Sequence, residues 1–171
     1  MAIEKSNIIL IGMPGAGKST AGVILAKLTS RDFIDTDLLI QIAQARPLQE
    51  IVDNDGHMAL RRIEEEIILS INRHNLVIAT GGSAVYSDAA MTHLGKNGIA
   101  VFLDADLITL QSRIRDFDTR GLAKRPDQSL SDLFEERYPL YAGHADITVD
   151  CSGLTQDEVC AAILKSLRFH S

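Results

Sequence analysis

The sequence predicts an α/β fold of three layers, a central five-stranded parallel sheet with helices on both faces, and three observations predict it. Five short apolar runs recur along the chain: Ile8 to Ile11, Phe33 to Ile34, Leu76 to Thr80, Ile99 to Leu103 and Ile147 to Val149. Helical patterns separate these runs, and strands that alternate with helices build parallel sheets covered on both faces. Between the first run and the first helical pattern lies Gly12 to Thr20, Gly-Met-Pro-Gly-Ala-Gly-Lys-Ser-Thr, a glycine-rich turn of the phosphate-binding type.

Taken in order, the first run is β-branched and apolar without alternation, which reads as a strand buried on both faces. In the turn that follows, Gly12, Gly17, Lys18 and Ser19 satisfy G-x-x-x-x-G-K-[ST], and Gly15 tightens the form further. Glycine lets successive N–H groups turn inward around an anion. Lys18 is placed to reach the β- and γ-phosphates of a triphosphate, and the Ser19 hydroxyl to ligate the Mg²⁺ that bridges them. Pro14, Ala16 and Thr20 complete the expected nucleotide-binding set, Thr20 as a packing or capping residue. Ala21, Val23, Ile24, Leu25 and Leu28 then recur at helical spacing. The helix they form would aim its partial positive charge at the phosphates.

The second strand ends in Asp35-Thr36-Asp37, two carboxylates two residues apart that point to one side if the extended conformation persists. One reading gives one carboxylate to Mg²⁺ and the other to an attacking hydroxyl; the other makes Asp35 or Asp37 the N-cap of a helix starting near Leu38. A long helix is expected from about Gly56 to His74, with Leu60, Ile63, Ile67, Ile68 and Ile71 as its apolar stripe. Arg61 on that helix has two readings, a ligand or a partner of Glu64 or Glu65. After the third strand, Thr80-Gly81-Gly82-Ser83 is either a ligand-facing backbone or a plain turn. Arg137, in Glu-Arg-Tyr-Pro-Leu-Tyr, is a further cation that a solvated surface would also explain. The last helix begins near Thr155, with Glu158 closing a capping box. In such sheets ligands bind beyond the C-terminal ends of the strands, which singles out the residues just named.

The 171 residues, 46% of them hydrophobic, with no linker-like segment, predict a single domain spanning 1–171. A net charge of −6 argues against nucleic acid or an anionic membrane as partner. The opening MAIEKSN lacks the sections of a signal peptide, no apolar stretch approaches spanning length, and Cys151 and Cys160 have neither metal-ligand nor disulfide-scaffold spacing. A cytoplasmic protein with both cysteines as packing residues is expected. A monomer is expected too.

As a whole the pattern resembles the shikimate kinases and the small-molecule kinases close to them. The resemblance runs through GMPGAGKST, FIDTD, GHMALRRIEEE, ATGGSAV, the segment Arg113 to Arg125, and ERYPLY followed by HADITVD. It implies a P-loop fold like that of nucleoside monophosphate kinases, with a mobile lid at about 116–129 and a substrate-binding helical region at about 38–74. The implied reaction is ATP-dependent phosphorylation of a hydroxyl on a small carboxylated ring, with Mg²⁺ as cofactor. By the same resemblance Ser19 and Asp35 serve the metal, and Asp37, Arg61, Gly81, Gly82 and Arg137 bind the acceptor. Arg113 lies near the adenine, and a lid arginine, Arg120 by its spacing after Arg113 with Arg125 as the alternative, enters as a catalytic residue beside Lys18 and Asp37. The chain departs from the family pattern at Ser83, where a third glycine is usual, at Leu60 and Val52, where aromatic residues are, and in the lid, which reads Arg120-Gly121-Leu122-Ala123 with Arg125-Pro126 behind it. These departures bear on the acceptor, so a kinase for gluconate or homoserine stands as an alternative. A non-catalytic nucleotide-binding module is the alternative of another class.

Overall fold

The computed structural model describes residues 5–170. Residues 1–4 of the opening segment, on which the expectation about a signal peptide partly rests, and residue 171 of the expected domain lie outside them. The strands are β1 (Asn7–Ile11), β2 (Asp32–Asp35), β3 (Leu76–Ala79), β4 (Gly98–Asp104) and β5 (Ile147–Asp150). They form one sheet in the order β2-β3-β1-β4-β5. Every pairing is parallel, with Ile8 opposite Val77 on one side and Ile99 on the other. All five residues of β1 and all four of β3 are buried, as expected for runs without alternation.

The connections carry α1 (Lys18–Thr29), α2 (Thr36–Gln44), α3 (Leu48–Asp55), α4 (His57–Leu69), α5 (Asp88–Gly95), α6 (Leu107–Arg113), α7 (Leu130–His144) and α8 (Gln156–His170). Helices α1 and α8 pack against each other on one face; α4 and α5 pack together on the other, where α5 and α7 meet β4. The main core is built from the strands with Leu25, Leu110, Leu133, Tyr141 and Ile163 from the helices. A second, smaller core joins Ile40 of α2, Ile51 of α3 and Leu60 of α4 to Ala123. It organises the helical region expected at 38–74 and ties it to the segment expected to be a lid.

Two expectations need correction. Helix α4 is shorter than the apolar stripe implies, because it ends at Leu69 rather than His74. The Ser70 hydroxyl donates to the Ile67 carbonyl at 2.7 Å and Ile71 N–H reaches only to Ile68, a tightened last turn that ends the helix. Ile71 still packs against the main core from the connection to β3. The helix expected near Leu38 starts two residues earlier, with Asp35 as its N-cap. The capping box of the last helix forms between Thr155 and Glu158 as expected.

Candidate active site

The strand order reverses beside β1, and the glycine-rich loop leaves its C-terminal end there, the crevice position of an open parallel sheet. Gly17 holds φ +94° as the N-cap of α1, a left-handed conformation that only glycine takes freely. The loop closes on itself through Lys18, whose Nζ donates to the carbonyls of Gly12 at 2.7 Å and Met13 at 2.9 Å. Burial lowers the Lys18 pKa to about 8, with Asp37 opposing the shift and Arg137 and Arg120 adding to it. Ser19 Oγ donates to Asp35 Oδ2 at 2.6 Å. Asp35 Oδ1 accepts from the N–H groups of Asp37 and Leu38 at 3.0 and 3.3 Å. Asp35 therefore caps α2 with one oxygen, as the second reading has it, and turns the other to the Ser19 hydroxyl.

A cleft of about 350 Å³ opens above the loop. Pro14, Gly15, Gly17, Lys18, Ser19 and Thr20 form one wall; Asp37, Glu64, Gly81, Gly82, Ser83 and Arg137 form the facing one. Gly12 and Ala16 sit behind the first wall, Ala16 2% exposed and Gly12 contributing its carbonyl to Lys18. The glycine pair is needed for close approach: a Cβ on Gly81 would run into the Glu64 and Asp37 carboxylates, and one on Gly82 would stand 2.7 Å from Arg137 Nη1. Tyr141, stacked on Phe102 with ring centroids 5.3 Å apart, pins this backbone by donating from its hydroxyl to Gly82 O at 2.7 Å. Burial raises the Asp37 pKa, and the Asp35 charge adds to the rise against Lys18.

Arg137 is 1% exposed, so the surface reading of ERYPLY fails. It donates from Nη2 to Ala123 O at 2.9 Å and from Nε to the Tyr86 hydroxyl at 3.3 Å. Arg113, at the end of α6, also lines the cleft and reaches the Gly15 and Ala16 carbonyls at 3.4 Å. Of the two lid arginines, Arg120 lines the cleft while Arg125 turns away to Glu136 at 3.2 Å. Residues 116–129 carry no regular secondary structure, and Gly121, at φ +69°, is seated on α3 by a bond from its N–H to Gln49 Oε1 at 2.6 Å.

Arg61 forms its ion pair with Glu136 rather than with Glu64 or Glu65. It lines a neighbouring cavity of about 260 Å³ instead of the main cleft, its guanidinium lying 3.5 Å from the centroid of the Tyr86 ring and 3.8 Å from Glu136 Oε1. Val52 packs in the small core away from the cleft, whereas Leu60 and Ser83 line it.

Two cleft residues escape the sequence reading. Glu64 is 2% exposed, accepts from Ser83 Oγ, and leaves its Oε1 buried without a partner beside Gly81. Burial pushes its pKa up to about 7, with the Asp37 charge adding to the rise. A signal existed: Glu64 lies four residues from Leu60 and four from Ile68, in the apolar stripe itself. Gln156, at the start of α8, faces Gly17 across the loop end of the cleft, and a polar residue just after a capping threonine carries no signal of that placement.

The residues at the Ser19 end of the cleft fit a magnesium ion. A hydroxyl and a carboxylate oxygen meet there within hydrogen-bond distance, both hard oxygen donors, and Mg²⁺ beside a nucleotide takes one or two such ligands together with phosphate and water. Among the described residues no group of three or more His, Cys, Asp or Glu is gathered as a metal cage.

Residues 14–168 match a family model described as shikimate kinase. Over 93% of its length the chain is 37% identical to the shikimate kinase of Thermodesulfovibrio yellowstonii, covering 93% of that protein. Over 94% it is 39% identical to the shikimate kinase of Pasteurella multocida, covering 91%. The structure superposes with a TM-score of 0.89 on the shikimate kinase from Acinetobacter baumannii in complex with shikimate, at 30% identity, covering 96% of this chain and 94% of that one.

Proposed function

The chain belongs to the shikimate kinase family, and from that premise we propose that it transfers the γ-phosphoryl group of ATP to the 3-hydroxyl of shikimate, giving shikimate 3-phosphate and ADP. The observation that carries this reading is the cleft itself. One wall is a phosphate-binding loop with its lysine, and the other combines a carboxylate, Asp37, with a buried guanidinium, Arg137, and two glycines that leave room for a ring.

In the reaction proposed, the loop N–H groups and Lys18 hold the β- and γ-phosphates. Lys18 would leave the Gly12 and Met13 carbonyls for the phosphates, and their negative charge would raise its pKa again. Ser19 and Asp35 would hold Mg²⁺, which when bound supplies charge neutralisation between the phosphates. Asp37 receives the proton of the acceptor hydroxyl as that oxygen bonds to the γ-phosphorus and the bond to the β-bridging oxygen breaks. Its raised pKa suits the role, since a base is most effective near the working pH. Arg120 meets the charge spread over the transferring group, and the seated lid excludes water that would otherwise hydrolyse ATP. Arg137, with Arg61 beside it, binds the acceptor carboxylate in the bidentate geometry that guanidinium favours. Arg113 borders the nucleotide.

Among the described residues no helix is long and apolar enough to cross a membrane. We place the protein in the cytoplasm, as a monomer, where ATP and the acceptor are met in solution. ADP release measured with shikimate, gluconate, homoserine and no acceptor tests the reading, with and without a magnesium chelator. Release above background with shikimate alone, abolished by the chelator, is expected. Release only with another hydroxy acid would overturn the acceptor, and no release with any of them would leave a nucleotide-binding module.

A further inference from the structure

We propose that Tyr86 is the positioning residue for both arginines that bind the acceptor carboxylate, its ring fixing Arg61 and its hydroxyl fixing Arg137. The inference rests on the shikimate kinase reading and deepens it. Tyr86 ends the short 3₁₀ turn Ala84–Tyr86 that follows the glycine pair, so it is tied covalently to the acceptor wall. Its hydroxyl donates to Glu136 Oε1 and, with its lone pairs thus free, accepts from Arg137 Nε at 3.3 Å. Glu136 is itself fixed by Gln128 Nε2 at 2.8 Å and Arg125 Nη1 at 3.2 Å. Above the ring lies Arg61 at 3.5 Å, and Arg137 stands 5.4 Å from the same centroid.

The charges explain why such a platform is needed. Arg61 and Arg125 share one carboxylate, Glu136, and Arg137 joins them through the Tyr86 hydroxyl, so positive charge gathers around the ring where an anionic acceptor can meet it. Like charges repel, and long side chains relieve that repulsion by swinging apart. The negative face of an aromatic ring attracts a guanidinium without neutralising it, which holds Arg61 near Arg137 and leaves its charge for the ligand. Arg61 Nε is buried and without a hydrogen-bond partner, as expected of a group whose fixed contact is the ring face rather than an acceptor atom. A direct second carboxylate would hold the arginine as well, but would compete with the acceptor for it.

The test compares shikimate with its carboxamide on wild type, Tyr86→Phe and Tyr86→Leu, with kcat and KM measured for each acceptor and for ATP. In wild type the carboxamide should have a KM at least tenfold above that of shikimate. Tyr86→Leu should raise the shikimate KM by about tenfold and shrink the discrimination between the two acceptors to threefold or less, with KM for ATP unchanged. Tyr86→Phe keeps the ring and should fall between, recovering most of the discrimination. A role in packing alone would lower kcat or shift the melting temperature while leaving that ratio as in wild type, and this result overturns the proposal. Should Tyr86→Leu not fold, Tyr86→Phe decides: a ratio equal to wild type together with an unchanged shikimate KM overturns the proposal. If wild type does not phosphorylate shikimate, the functional reading fails and takes this inference with it.

Discussion

At the scale of single residues, the cleft gathers ionisable groups whose charges are costly until ligands arrive. Lys18 is the first case, because its ammonium has been drawn from water onto two loop carbonyls and has its pKa lowered to about 8. Lys18→Met should leave the fold intact and lower phosphoryl transfer by about a hundredfold or more, the loss expected when a positioned charge is removed from a transition state. Steady-state kinetics beside far-UV circular dichroism checks this, and retention of a tenth of the wild-type rate would refute the role. Glu64 is the second case. Its pKa rises from 4.5 to about 7 on folding, so the folded chain holds the proton more tightly than the unfolded one. The stability contributed by the neutral form is fully present below pH 4.5 and is lost as pH rises through about 7. Glu64→Gln can still accept from Ser83 and carries no charge, so its stability relative to wild type should increase across that window and level off above it. The gain should reach about 2 to 3 kcal/mol, read from urea unfolding at pH 5 and pH 8. An equal difference at the two pH values would show that Glu64 does not titrate in that window.

At the scale of elements, the lid resolves into two arginines with different surroundings. Arg120 lines the cleft and pairs with Asp116 at 3.6 Å, one helical turn's spacing away in sequence; Arg125 belongs to the Glu136 cluster. Arg120→Ala should lower kcat by about a hundredfold or more with little loss of ADP affinity, because a charge delivered by the lid acts on the transition state. Arg125→Ala, which breaks one half-exposed ion pair, should change kcat by less than about threefold. Kinetics with calorimetric ADP titration separate the two, and reversed effects would move the catalytic arginine by five positions. The five strands, the loop and the carboxylate that ends β2 and caps α2 were legible because each depends on residue type and near neighbours. The end of α4 was not, since the stripe through Ile71 continues past the point where Ser70 diverts the last carbonyls. The partners of Arg61 were not legible, as Tyr86 and Glu136 come from elements distant in sequence. Glu64 was hidden by its neighbours Glu65 and Glu66, which make a solvated face of what is in part a core position.

At the scale of the whole molecule, the segment expected to be a lid joins the two cores through Ala123. Ala123 completes the small core of Ile40, Ile51 and Leu60, and its carbonyl accepts from Arg137, whose helix α7 packs against the sheet. Ligands on the two walls therefore act on one shared segment, and each should strengthen binding of the other by favouring the seated lid. The chain should unfold in one cooperative transition, and ADP with shikimate should raise the melting temperature by more than the sum of their separate effects. Gly121→Ala tests the link at its narrowest point. The added Cβ would stand 2.5 Å from Gln49 N and 2.7 Å from Leu48 Cβ, against the backbone of α3, at a φ of +69° that alanine resists. The lid would be forced off its seat while both cores keep their remaining contacts. The expected result is a melting temperature of the free protein within a few degrees of wild type, with the extra stabilisation by the two ligands together lost and kcat reduced by about tenfold or more. If the variant keeps that extra stabilisation, the two walls are coupled through the sheet rather than through the lid.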